Sequence, residues 1–155
     1  KDDNDMNDQR SIYGFDLKTK KLIPEPVFKF NMKTISQFAI DNEIILQKKK
    51  GKKRNAEISN SPLSFNISAI EIHPLTNKLF VLSATDYLLF IFNMNGNLEH
   101  LVELDPEIFN KAEGITFLGN NDLIISNEGQ YGDATLVRFK YLKTRNQKDS
   151  KSKSN

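Results

Sequence analysis

The stretch Leu79-Phe80-Val81-Leu82-Ser83 decides the fold class of this chain, together with the apolar residues 87–92 that follow a three-residue turn. The first run is nearly continuous, which predicts a strand buried on both faces, and the second run predicts another strand beside it. Asn95-Gly96 is a strong hairpin signal after the second run, and residues 98–104 predict a further strand. Ala69-Ile70-Glu71-Ile72, before a turn at residues 73–77, completes a predicted four-stranded antiparallel sheet.

The same order of apolar runs and turns recurs further along the chain. Asn77, Leu79 and Val81 recur 44 residues later as Asn121, Leu123 and Ile125. The run 89–92 recurs 47 residues later as residues 136–139. A four-stranded unit that repeats every ~40–50 residues is typical of a β-propeller blade. We therefore predict an all-β fold, a partial β-propeller of two to three four-stranded antiparallel blades. Residues 66–104 supply one full blade, 111–142 most of a second, and 11–30 the outer strands of an earlier one.

This number of blades does not close a ring, because small propellers need about four or more. We expect the chain to be a fragment of a longer protein, and the alternative is that several copies assemble. In either case an uncovered blade face would promote association.

Two segments interrupt the predicted sheets. Residues 12–17, a polar turn and Leu22-Ile23 predict a hairpin, and Pro24 and Pro26 predict that its pairing breaks there. Between residues 31 and 62 we predict a short helix or irregular insertion. The helix covers about 33–41 with Asn31 as its cap, and residues 43–48 are extended.

Composition and charge exclude several classes of protein. The chain of 155 residues has no cysteine, and its 22 basic and 20 acidic residues nearly cancel. A disulfide framework, a thiolate zinc site and a strongly basic nucleic-acid binder are therefore not indicated. The sequence contains no run of about 18 apolar residues, which a membrane-spanning helix would need. Residues 1–10 are predicted to be a disordered acidic tail, and 143–155 a disordered basic tail.

A cluster of cations lies inside the insertion, at Lys48, Lys49, Lys50, Lys52, Lys53 and Arg54. This segment predicts either an anion-binding patch for phosphate or anionic lipid, or an exposed loop whose charges repel one another. No aromatic residues are interleaved to stack on bases, so we predict no nucleic-acid partner.

Three stretches carry a resemblance to a known family: Ser11–Leu22, Ser68–Ser83 and Ala112–Glu128, the last with Glu-Gly-Ile at its start and Ser-Asn-Glu at its end. They resemble the SdiA-regulated family of bacterial envelope-associated β-propellers, over about residues 11–142. Ile67, Lys111 and Asn127 depart from the family pattern. The resemblance implies location in the bacterial cell envelope, in the periplasm or anchored to the membrane.

Glu113, Asn127 and Glu128 are the predicted metal ligands. Glu113 opens an inner strand, and Asn127 and Glu128 close the next one, so a tight turn between the strands would bring their oxygens together. Such oxygens suit Ca²⁺. The alternative is that Glu113 bonds to backbone amides and orders the propeller axis. His73, in a turn, and His100, on an outer strand, are predicted to be solvated and not catalytic.

The leading functional prediction is a non-enzymatic binding or interaction module of the cell envelope, with an unidentified small molecule or protein as its partner. The alternative is a calcium-dependent hydrolase of the phytase-like or lactonase-like propeller type, which rests on analogy of fold alone. A third class is a binder of anionic surfaces through residues 48–54, with peripheral association to the envelope.

Overall fold

The computed structural model describes residues 9–44, 63–129 and 132–143, and these residues are mostly β-strand with one short helix. Residues 1–8 of the predicted acidic tail, the cationic cluster 48–54 and the basic tail after Lys143 lie outside the described residues. The predicted disorder of residues 9–10 is wrong, because Gln9 and Arg10 are paired with Asn31 and Phe30 in a strand. The elements are β1 (Gln9–Asp16), β2 (Lys21–Asn31), α1 (Met32–Asp41), β3 (Ala69–Ile72), β4 (Leu79–Ser83), β5 (Leu88–Phe92), β6 (Leu98–Glu103), β7 (Ala112–Phe117), β8 (Leu123–Asn127) and β9 (Thr135–Phe139).

Strands β3 to β6 form an antiparallel sheet in sequence order, which we call the central sheet. Its side chains alternate between two separate cores, as the period of a strand requires. Val81 and Phe90 belong to one core, whereas Leu82 and Leu89 belong to the other. The prediction that the strand at residues 79–83 is buried on both faces is confirmed for β4.

One face of the central sheet is covered by the ribbon, the two antiparallel strands β1 and β2, and by α1. Phe30 at the end of the ribbon is buried and lies 4.6 Å from Phe92 and 5.3 Å from Phe65 between ring centroids. Phe65 is brought into this core by Asp86, whose carboxylate accepts hydrogen bonds from the backbone N–H groups of Ser64 and Phe65.

The expected break in pairing at Pro24 and Pro26 is confirmed in the register, because residues 23–25 have no paired partner on β1, although the extended backbone of β2 continues from Lys21 to Asn31. Pro26 lies opposite Tyr13, and the register shifts on both sides of Tyr13. Each strand of a two-stranded ribbon has one free edge, so a residue without an N–H group is tolerated there.

The predicted helix is present as Met32–Asp41, one residue longer than expected. Asn31 caps it, because its Oδ1 accepts hydrogen bonds from the N–H groups of Lys33 and Thr34. Ile35 and Ala39 face the core. Glu43 lies in a turn with φ of 55° instead of the expected extended segment, and residues 45–48 lie outside the described residues.

The other face of the central sheet is covered by β7, β8 and β9, which form the third sheet. Ile125 from this sheet and Phe109 from the preceding loop are buried against Leu82 and Leu89. Strand β7 lies against β3, and Ser68 Oγ donates a hydrogen bond to the carbonyl of Ala112 at 2.8 Å. The all-β prediction is confirmed as a ribbon, a four-stranded sheet and a three-stranded sheet in the described residues.

Phe30→Ala tests the attachment of the ribbon. Truncating a buried Phe costs about 3–5 kcal/mol, so we expect the free energy of unfolding to fall by that amount in urea titrations. Phe15→Ala is the matched control, because Phe15 lies on the same ribbon and is 57% exposed. The control should change stability by about 0.5 kcal/mol or less. Equal losses in the two variants would contradict this packing.

Candidate functional site

Two of the three predicted metal ligands meet at the start of β7. Glu113 Oε1 lies 3.2 Å from the ammonium Nζ of Lys111, and Glu128 Oε2 pairs with the same ammonium. Lys111 adopts a left-handed backbone conformation with φ of 63°, and its carbonyl accepts a hydrogen bond from the N–H group of Glu128. The tight turn between β7 and β8 therefore brings the two carboxylates together, as expected.

The third predicted ligand, Asn127, does not join them. Its side chain is 3% exposed, and its Nδ2 donates hydrogen bonds to the carbonyl of Ile108 at 3.2 Å and to Thr135 Oγ1 at 2.8 Å. Neighbouring residues of a strand point to opposite faces, which separates Asn127 from Glu128. The Oδ1 of Asn127 has no hydrogen-bond partner among the described residues.

The charges of this cluster are centred on Lys111, whose single ammonium faces two carboxylates. The Glu128 carboxylate, and after it that of Glu113, raises the pKa of Lys111, and Lys111 in turn lowers the pKa of Glu128. Within residues 9–44, 63–129 and 132–143, no three His, Cys, Asp or Glu side chains form a group that could hold a metal ion. The cation between the two carboxylates in this structure is the lysine ammonium.

A second candidate site lies between the central and third sheets, where two cross-strand rows of side chains face each other. Phe80, Ile91 and His100 pair across β4, β5 and β6, and Phe117, Leu123 and Phe139 pair across β7, β8 and β9. These rows line a cleft of about 340 Å³, which we call the inter-sheet cleft. The complete lining also includes His73, Thr76, Lys78, Asn121, Lys140, Tyr141 and Leu142.

His73 lies at the inner end of the inter-sheet cleft, among aromatic rings. Its ring centroid is 4.5 Å from that of Phe117, 5.7 Å from that of Tyr141 and 5.8 Å from that of Phe80. Phe80 and Phe117 contact each other edge to face at 5.0 Å. Their rings close this end of the cleft.

The expectation that His73 is solvated is wrong, because the residue is only 5% exposed. Its Nδ1 accepts hydrogen bonds from the backbone N–H groups of Leu75 at 3.1 Å and Thr76 at 3.4 Å. Burial lowers the pKa of His73, so the imidazole is neutral at pH 7. With Nδ1 acting as an acceptor, the proton resides on Nε2.

One edge of the cleft is held in place by Asp122, a buried carboxylate in the turn before β8. It accepts hydrogen bonds from the backbone N–H of Tyr141 and from Arg138 Nε, both at 2.8 Å. These two contacts, the Tyr141 amide first, lower the pKa of Asp122. The chain after β9 is thereby fixed so that Tyr141 lies against His73.

Sequence reasoning did not identify the inter-sheet cleft. Its walls come from six strands, and the apolar wall residues are each typical of a core position. The alternation of side chains in β4 and β8 was a signal for the cleft that could have been used. Phe80 and Leu123 lie two positions from the core residues Leu82 and Ile125, so each shares a strand face with its core neighbour. Whether a given cross-strand row of side chains is packed in the core or lines an open cleft depends on how the two sheets pack, which the sequence pattern does not show.

No protein-family model, curated protein or solved structure matches this chain. The resemblance to the SdiA-regulated family therefore stays a prediction. The described part of the chain contains no helix of the length and apolar character needed to cross a membrane.

His73 predicts a pH-dependent stability. Because the pKa of the folded state is below the ordinary value of 6.5, the unfolded chain binds more protons as pH falls below 6.5. The contribution of neutral His73 to the free energy of unfolding is therefore complete above pH 6.5 and decreases as the pH falls below it. We expect the melting temperature to fall between pH 7.5 and pH 5.5 in the natural chain and to change less in His73→Asn, which keeps an acceptor for the turn.

His100→Asn is the matched control for this melt, because His100 is exposed. The melting temperature of His100→Asn should change with pH as much as that of the natural chain. The assignment is wrong if removing His100, and not His73, flattens the pH profile.

Proposed function

We propose that this chain is a non-enzymatic binding module, built as part of a β-propeller of the SdiA-regulated type and located in the bacterial cell envelope. The inter-sheet cleft is the observation that carries the binding function. The family and location rest on the resemblance of residues 11–142.

The pairing registers support the propeller assignment. Ile70 lies opposite Val81, and Ile115 lies opposite Ile125, so the repeat in the sequence falls on equivalent positions of the two sheets. Asn77 and Asn121 turn the chain at equivalent points with φ of 50° and 68°. The contact of β3 with β7 fits neighbouring blades, whose inner strands lie side by side around an axis.

The shape and lining of the cleft support binding of a small molecule. Small-molecule sites are concave, mostly apolar and about 300–1,000 Å³ in volume, with a few polar groups that fix orientation. The inter-sheet cleft has this size, two apolar walls and a histidine at its inner end. Leu142 and Phe139 at its outer side are exposed, so a ligand can enter without moving the core.

The binding function is tested with a neutral aromatic probe, naphthalene-2-carboxamide, by calorimetry or saturation-transfer NMR on the full chain. At about 0.3 kcal/mol per non-hydrogen atom, we expect a probe of this size to bind with a Kd of about 1 mM. Phe139→Ala removes part of one wall and should weaken binding. Leu136→Ala, on the same strand and 74% exposed on the opposite face, should leave it unchanged. No binding to the natural chain would refute the proposal.

The calcium-dependent hydrolase is kept as a second candidate, because the structure brings Glu113 and Glu128 within reach of one cation. Carboxylate pairs of this kind contribute to Ca²⁺ sites. In this reading Ca²⁺ takes the place of the Lys111 ammonium between them.

A thermal melt with calcium and with chelator separates the two candidates. A ligand that binds the folded state adds about 2.7 kcal/mol of stability at a hundredfold excess over its Kd. If the second candidate holds, calcium raises the melting temperature of the natural chain and Glu113→Gln abolishes most of the gain. Glu25→Gln, an exposed carboxylate of the ribbon, is the control. The binding module predicts no response to calcium, and that result would count against the hydrolase.

A further inference from the structure

The charged residues of the inter-sheet cleft all have the same sign. Lys78 and Lys140 line it together with the two histidines, and no Asp or Glu is among its lining residues. Lys78 is already paired with Glu99 at 2.8 Å. Lys140 is exposed and has no ion-pair partner among the described residues, so its positive charge is uncompensated at the rim.

The only imidazole buried in the cleft offers a donor and no acceptor. Since Nδ1 of His73 is occupied by the N–H groups of its own turn, Nε2–H is the group that the ring can present to a ligand. A hydrogen-bond donor at the inner end and a cation at the rim both favour a ligand that carries acceptor oxygens with negative charge.

The walls favour a flat, unsaturated body for that ligand. The open part of the cleft is a slot between two stacked sheets, with Ile91 on one wall and Leu123 and Phe139 on the other. Aromatic rings fill such slots well, because they bury a large area and interact favourably with other rings in offset or edge-to-face geometry.

We propose that the inter-sheet cleft selects small planar aromatic anions, such as aryl carboxylates, with Lys140 as the residue that determines the preference for negative charge. This inference rests on the proposed binding function. It adds a chemical class to the ligand, and it assigns a specificity role to a lysine that the sequence pattern did not distinguish from the other cations.

The test compares two probes of the same shape on the full chain, naphthalene-2-carboxylate and naphthalene-2-carboxamide, at pH 7.5 and low salt. We expect the carboxylate to bind about two- to fivefold tighter, because an exposed ion pair is worth at most about 1 kcal/mol. The ratio should shrink as salt is raised from about 20 mM to 500 mM, since salt screens exposed charges.

Lys140→Gln should weaken carboxylate binding about two- to fivefold and leave amide binding unchanged. Lys18→Gln makes the same change in net charge, in the turn between β1 and β2, and should alter neither. Melting temperatures of both variants check that the fold is retained.

The outcomes separate the two proposals. Equal affinity for the two probes overturns the preference for anions and leaves the binding function standing. Loss of affinity in Lys18→Gln as large as in Lys140→Gln reduces the preference to general attraction by net charge and overturns the assignment of Lys140. Failure of both probes to bind overturns the specificity and the binding function together.

Discussion

Strands β4 and β5 carry large apolar side chains on both of their faces, and the whole arrangement follows from the need to cover them. Val81 and Phe90 require one cover, and Leu82 and Leu89 require another on the opposite side. At about 25 cal/mol per Å² of apolar surface, leaving either face in water would remove much of the stability of so small a molecule. The ribbon with α1 supplies the first cover, and the third sheet supplies the second.

The inter-sheet cleft arises from the same packing. Leu82 and Leu89 meet Ile125 in a closed core layer, and the next row toward the β3–β4 turn contains Phe80 and Ile91. In that row the rings fill the inner end and leave the outer end open. A rigid, doubly covered sheet thus forms one wall of the cleft, and such a wall loses little conformational entropy when a ligand binds.

The sequence predicted those features that depend on local pattern. The bounds of β3 and β4 agree with the expected runs, and α1 begins beside its predicted cap, Asn31. Apolar runs and capping side chains act over a few residues, so they can be recognised without knowledge of tertiary contacts.

Features that depend on which element becomes a neighbour were not predicted. The extended backbone of β2 continues past Pro24 and Pro26 because only one partner strand lies beside it. His73 is buried because Tyr141 and Phe117, distant in sequence, close over its turn. Lys111 departed from the family pattern, but its position between Glu113 and Glu128 follows only from the bulged pairing of β7 with β8. Asn127 and Glu128 point to opposite faces because they are neighbours in sequence at the end of a strand, and this separation could have been predicted from the alternation of side chains along a strand.

The ribbon is held at one end only, and this gives it graded local stability. Ile12 and Phe28 are paired and pack on the core, whereas the pair Phe15 and Leu22 beyond the two register shifts is exposed. A two-stranded ribbon in water has little stability of its own. Amide hydrogen exchange should therefore be fastest near the β1–β2 turn and become slower along the ribbon toward its attached end. Beyond Ile12 and Phe28, only global unfolding should expose the amides.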